Sequence, residues 1–283
     1  MKIAFWSEQP GEGTTFNLAV TACTAVLLHP VSVAVVSGGY HDENLERKFF
    51  ETANSYSLME KSDQDYGTDP VLAAETEEFF VNRGLECLLR KECREQLTEL
   101  TVKANMRQIV RDRMYCLPAS MKSEQEWWYQ DNLFQRIGRV MDAVESYFDA
   151  VFIDCGSRQD DYAQKILKES DICVLNMRQD REHIGAFYRN PPKYPGETFF
   201  LLGKYFEDAL YTRENLQRLY RVEYERLGAV PYNPHLQAAD QMGRIKNGVR
   251  HCIDQEIAGK HLEFTREVVR ATNLILRLAG VIA

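Results

Sequence analysis

The sequence predicts an α/β fold, a doubly wound and mostly parallel sheet of about seven or eight strands flanked by helices. Two observations carry that expectation. Short apolar runs rich in β-branched residues alternate along the whole chain with longer segments of helical period, as in repeated βα units. The first run, Ile3-Ala4-Phe5-Trp6, passes through a glycine-containing turn straight into a helix-forming stretch. With 283 residues, 45% of them hydrophobic, the chain can bury a full core.

Strands are expected at residues 3–6, 31–37, 114–117, 150–154, 172–176, 199–203 and 227–231, and helices near 15–28, 84–100, 124–147, 160–169, 181–189 and 212–221. Thr212 stands before RENLQRLY as an N-cap, and Ser123-Glu124-Gln125-Glu126 opens the long helix with acids in its first turn. Residues 52–70 are polar and turn-rich and read as a surface loop, ending at Asp69-Pro70 where a helix could start. Residues 189–197, RNPPKYPGE, carry three prolines and force a rigid connection. Strand and helix signals of one kind continue on both sides of these segments, so residues 1–283 are read as a single domain. Trp127, Trp128 and Tyr129 cannot all face one core, which leaves packing under a loop or a partner contact for at least one of them.

Charge is uneven. Residues 42–82 hold eleven Asp and Glu against Arg47, Lys48 and Lys61, whereas residues 243–283 hold seven Lys and Arg against four acids. An acidic body argues against wrapping nucleic acid, and the basic run Lys204, Arg213, Arg218, Arg221 and Arg226 reads as solvated helix faces. Seven cysteines with no close pair read as small thiols in a reducing compartment. No apolar stretch approaches the roughly 18–20 residues that span a bilayer, and the start lacks a signal-peptide pattern. The expected location is the cytoplasm.

The chemistry concentrates in residues 7–17, SEQPGEGTTFN. In a phosphate-binding loop, glycines let backbone N–H groups converge on the anion, a lysine neutralises the terminal phosphates, and a Ser or Thr holds Mg²⁺. Gly11, Gly13 and Thr15 supply the first and last of these, while threonine occupies position 14 where the lysine belongs, and Glu8 and Glu12 add charge of the wrong sign. One opposite charge about 4 Å from a phosphate oxygen contributes on the order of 4 kcal/mol at a surface-like dielectric. Backbone amides and a metal could hold a nucleotide, but fast hydrolysis is not expected. An ordinary glycine-rich βα turn is the alternative. The histidines show no spacing that pairs them as ligands, and His41 and His183 receive no role.

Taken with the rest of the chain, QPGEGTT resembles the opening of the MinD/ParA family of deviant P-loop ATPases, in which a strand, KGGxGKTT and a helix follow one another. MYCLPAS (114–120) is similar to the family's LPAS segment, AVFIDCGS (150–157) to its apolar run ending in an acid, and DICVLNMRQ, FLLGKYFEDALYTRENLQRLY and LGAVPYNPHLQAADQMGRI fall in the family's order. The second half looks most like the CpaE/TadZ branch, associated with Tad-type pilus assembly. The resemblance implies an ATP or ADP site with Mg²⁺ built from Gly11, Glu12, Gly13, Thr14, Thr15, Phe16, Asp154, Lys204, Pro231 and Asn233, with Thr15 and Asp154 on the metal. At Asp154 a plain strand-end acid is the competing reading.

The departures are equally specific. Gln9 and Thr14 stand where the family has its two lysines, Ser37 and Gly39 where it has an acidic pair, and Gly203 where an adenine-reading asparagine is expected. The implied protein is therefore a pseudo-ATPase or very weak ATPase, a localisation or assembly factor whose partners belong to a secretion or pilus apparatus. It could form a homodimer through surfaces other than a nucleotide-gated one. An active ATPase with its charged groups relocated, for example to Lys204, and an ATP-dependent small-molecule ligase on the same fold are the rivals. In EFTREVVRATNLILRLAGVIA, Phe264, Val268, Ala271, Ile275, Leu278 and Ile282 line one helical face and Arg266, Arg270, Asn273 and Arg277 the other. Such a helix could rest on the inner membrane face or simply pack on the sheet.

Overall fold

A computed structural model describes residues 1–38, 44–51, 84–94, 96–119, 126–189, 197–255 and 261–283, with the side chains of 126–134 and 186–188 outside that description. Eight strands form one sheet: β1 (Lys2–Ser7), β2 (Val33–Ser37), β3 (Arg107–Val110), β4 (Met114–Leu117), β5 (Ala150–Asp154), β6 (Ile172–Arg178), β7 (Glu197–Tyr205) and β8 (Leu227–Pro231). Their order is β3-β4-β2-β5-β1-β6-β7-β8, and only the β3–β4 pair is antiparallel.

The period of two along each strand divides the core between two layers. Ile3 and Phe5 of β1, with Val33, Val35 and Phe152, face a layer built from α1 (Thr14–Leu28), α9 (Pro234–Gln241), α10 (Ile245–Asp254) and α11 (Leu262–Leu278). Ala4 and Trp6, with Val36, Val151 and Ile153, face the opposite layer. That layer holds α3 (Leu85–Glu92), α4 (Glu99–Ala104), α5 (Glu126–Glu145), α6 (Asp161–Glu169), α7 (Arg181–Arg189) and α8 (Arg213–Tyr220). A short α2 (Asn44–Arg47) follows β2. Helix α1 after β1 and helix α6 after β5 lie on opposite faces of two neighbouring strands. Such a reversal opens a crevice at the carboxyl ends of the strands, where α/β sheets take ligands.

The expected seven strands are present, and β3 is an addition. Of its four residues only Ile109 is buried and Gln108 is exposed, so the strand lacks the apolar run that marks the others, and it reaches β4 through a turn with Asp112 left-handed at φ 57°. The helix expected over 84–100 is two helices, because Thr98 caps a new start by accepting from the Thr101 N–H. Helices α9 and α10 were not expected from the sequence. Thr212 caps α8 as expected, accepting from the Asn215 N–H. The opening 123–125 of the long helix, the loop 52–70, most of 189–197 and the Trp127–Tyr129 side chains lie outside the described residues.

The C-terminal helix takes the second of its two expected places, packed on the sheet. Phe264, Val268, Ala271 and Ile275 are buried against the sheet and α1, so the apolar face that would meet a membrane is already inside the core. Gly228 makes the approach possible, since a Cβ there would stand 2.7 Å from that of Ala271. On the other face Arg270 donates to the Tyr224 hydroxyl and the Leu227 carbonyl, fastening the helix to the end of the sheet. All seven cysteines are free, five of them buried and Cys93 exposed. No helix among the described residues is long and apolar enough to cross a membrane.

Candidate functional site

The loop 8–13 leaves the carboxyl end of β1 beside the end of β5. Ser7 anchors it at both sides: its N–H donates to the Gly156 carbonyl at 2.9 Å, and its hydroxyl donates to the Gln9 carbonyl at 2.9 Å while accepting from the Thr14 hydroxyl at 2.9 Å. Gln159 donates to the Glu8 carbonyl from the loop after β5. Gly11 and Gly13 are left-handed, at φ 83° and 84°, which explains glycine at both. Gly13 is the N-cap of α1 and offers no side chain, and the first turn carries no acid. The opening N–H groups of a 15-residue helix are therefore available to an anion.

Thr14 is 6% exposed, its hydroxyl directed at Ser7. Gln9 is bound elsewhere too: its Oε1 lies 2.8 Å from His183 Nε2, and His183 Nδ1 lies 2.6 Å from Asp180 Oδ1 at the start of α7. Burial works against the ionised Asp180, but the backbone N–H and ring of His183 outweigh it and hold that carboxyl below its usual range.

Glu12 is the loop's most unusual residue. It is 4% exposed, and Oε2 makes no hydrogen bond. Burial pushes its carboxyl up; a hydrogen bond from the Gln9 backbone and the nearby His183 and Arg178 oppose this, and Glu8 adds to it. The acid reaches back to the loop's own main chain at Gln9.

Asp154, 3% exposed at the end of β5, accepts from the Gly156 N–H at 3.0 Å. Ser37 ends β2 directly beside it in the sheet. Thr15 and Phe16 are half-buried in the first turn of α1. Lys204 is exposed near the end of β7, with a left-handed backbone at φ 49°. Pro231 ends β8. Asn233 is 6% exposed and caps α9 by accepting from the Leu236 N–H at 3.1 Å, while its amide nitrogen lies 3.1 Å from His261 Nδ1. These residues share the carboxyl edge of the sheet, but β8 lies three strands from β1, about 14 Å away at the usual strand spacing.

Gly203 has a steric explanation. A Cβ there would stand 2.6 Å from the Glu12 carbonyl oxygen and 2.9 Å from Asn17 Nδ2, so this loop conformation leaves no room for the expected asparagine. Sequence reasoning missed the residue that fills this space. Asn17 donates to Asn176 Oδ1 at 2.9 Å, and Asn176 donates in turn to the Trp6 and Val174 carbonyls, locking α1 to the sheet with a buried polar pair. It also missed His183, for which the only signal was an Asp three residues earlier at a helix start. His235, His251 and His261 gather with ring centroids 4.6 to 6.1 Å apart, again without a sequence spacing to announce it. No group of three His, Cys, Asp or Glu among the described residues could hold a metal ion. The donors that are present, backbone N–H groups, the Thr15 hydroxyl and Asp154, fit a phosphate with an oxygen-ligated cation.

No family model matches the chain, and no curated protein matches its sequence. Solved structures do. The cell division ATPase MinD of Pyrococcus furiosus matches with TM-score 0.64 at 14% identity over 98% of each chain. A ParA family ATPase of Chlorobium tepidum matches with TM-score 0.63 at 13% identity over 96% of each chain. The septum site-determining protein MinD of Pyrococcus horikoshii, complexed with Mg-ADP, matches with TM-score 0.55 at 14% identity over 100% of this chain and 99% of that one. The fold is thus that of the MinD and ParA ATPases, end to end.

Proposed function

We propose that this chain is a degenerate MinD/ParA-like nucleotide-binding protein that acts as a localisation or assembly factor, with weak or no ATP hydrolysis. The observation that carries the reading is the state of the two former lysine positions. Both are uncharged, Thr14 bound to Ser7 and Gln9 to His183, so neither position gives the loop a cation of its own. Phosphate would be held by the N–H groups at the start of α1, and Mg²⁺ by Thr15 and Asp154, with Gly11, Glu12, Phe16, Lys204, Pro231 and Asn233 completing the site. Charge moving in phosphoryl transfer needs fixed cations close by, and here the loop carries a buried acid, Glu12, and no lysine.

Within this reading the chain works as one domain and recruits partners of a Tad-type pilus or secretion apparatus, as in the CpaE/TadZ branch that its second half resembles. Any homodimer rests on surfaces other than a lysine reaching the partner's phosphates. Its place is the cytoplasm or the inner membrane face, reached through partners, since the apolar side of α11 lies in the core.

Calorimetric titration with ATP and ADP, with and without Mg²⁺, tests the proposal. Binding strengthened by Mg²⁺ supports it, and no binding at millimolar nucleotide removes the nucleotide part. Thr14→Lys separates it from an active ATPase with relocated charge, whose best residue is the exposed Lys204. If the native protein already turns over ATP and Thr14→Lys adds nothing, the enzyme reading wins.

A further inference from the structure

The loop's own sequence provides no cation, yet its structure provides one from another element. His183 sits in the first turn of α7, its ring 17% exposed, with an oxygen of Asp180 on Nδ1 at 2.6 Å and Oε1 of Gln9 on Nε2 at 2.8 Å. Both partners, as arranged, accept hydrogen bonds. Only the imidazolium donates at both nitrogens, so with Oε1 of Gln9 toward the ring the charged form is the one that satisfies both contacts. The neutral ring would donate to Asp180 alone and accept from the Gln9 amide turned over. Protonation of His183 and the orientation of Gln9 are therefore one switch, and in the charged state the Gln9 NH₂ is free to donate on the loop side.

We propose that His183, as an imidazolium held between Asp180 and Gln9, is the cation of this phosphate loop, and that it binds ligands of the polyphosphate class. The inference rests on the phosphate-site reading above and names the group that carries its positive charge.

The surroundings define the balance. From α7 and its approach come Asp180 and Glu182, from the loop Glu8 and Glu12, and from the end of β6 Arg178. The helix start disfavours positive charge at His183, while Asp180 in direct contact favours it. Glu12, buried and with Oε2 unpartnered, is the anion that faces this cation in the ligand-free loop. An entering phosphate takes over that role, and Glu12 must then move away or take up a proton.

The test is calorimetric binding of pyrophosphate and of Mg-ATP at about pH 6 and about pH 8, either side of the ordinary histidine range. It compares the native protein with His183→Gln and Glu12→Gln. The native affinity is expected to fall about tenfold or more as pH rises. His183→Gln should remove that dependence, and Glu12→Gln should keep it while binding more tightly at the higher pH. A native affinity independent of pH, an unchanged slope in His183→Gln, or a slope abolished by Glu12→Gln overturns the assignment. ¹⁵N shifts of the His183 ring in the ligand-free protein give a readout independent of folding in the variants. Two protonated ring nitrogens are expected at the pH where binding is tight, and a neutral tautomer there overturns the proposal. Pyrophosphate binding with the predicted slope but no ATP binding would end the nucleotide reading and leave His183 standing. ATP binding without the slope would do the reverse, and binding of neither ligand would end both.

Discussion

The C-terminal helix and the loop before α1 are the two regions where the residues offered both a packing and a functional explanation, and they resolve in opposite directions. In α11 the apolar stripe packs on the sheet and α1, and Arg270, on its flank, reaches backbone at the strand ends, although the buried Thr272 hydroxyl makes no hydrogen bond. In the loop Ser7, Thr14 and Gln9 are paired, but two groups are not. Glu12 has a buried oxygen without a hydrogen bond, and the start of α1 has no side-chain cap. Burial without partners costs on the order of 1–3 kcal/mol per group, and at Glu12 it falls on a carboxyl inside the loop that burial holds above its usual range. Helix α11 is thus explained by packing, whereas the uncapped start of α1 behind two left-handed glycines makes no such contribution.

The comparison can be broken first at the helix. Ile275→Asp is expected to lose at least about 4 kcal/mol of unfolding free energy and Ile275→Ala about 3 kcal/mol, both read by urea denaturation. If α11 were a dispensable surface helix, both losses would be under about 1 kcal/mol. Next comes the buried amide pair. Asn176→Ala removes the acceptor of the Asn17 amide and should cost about 2 kcal/mol.

At the loop the sign should reverse. Glu12→Gln is expected to stabilise the protein by about 1 kcal/mol near neutral pH. The Glu12 carboxyl is raised in the folded chain, so the native state keeps a proton that the unfolded state has released. Its stabilising contribution is complete below the ordinary carboxylate value and is lost as pH rises through the raised one. The gain from Glu12→Gln should therefore shrink on acidification, and a gain independent of pH would show that the carboxyl is not desolvated. The smallest effect is expected at Arg277→Ala, on the exposed side of α11, which should change stability by no more than about 0.5 kcal/mol.

Most of the fold was legible because its strands are buried on both faces. Runs such as 150–154 and 172–176 are apolar enough to stand out without any knowledge of their neighbours. Strand β3 was not, since an edge strand of four residues has only one neighbour and retains polar positions. In the site, the glycines, Thr14 and Asp154 could be placed from local pattern, because a βα turn is a local object. Asn176 and His183 could not. They act on the loop from 159 and 174 residues away, through contacts that exist only once β6 lies beside β1. Glu12 was visible as a charge of the wrong sign, but its inward fold depends on Gly203 leaving the space beside its backbone.

The central proposal is a phosphate loop that holds its ligand through backbone N–H groups and has no lysine of its own. It is tested most directly by single-turnover hydrolysis, mixing excess protein with Mg-ATP and following phosphate release. The account predicts release indistinguishable from the protein-free control. Release at the rate of a MinD or ParA ATPase with both loop lysines intact would contradict it.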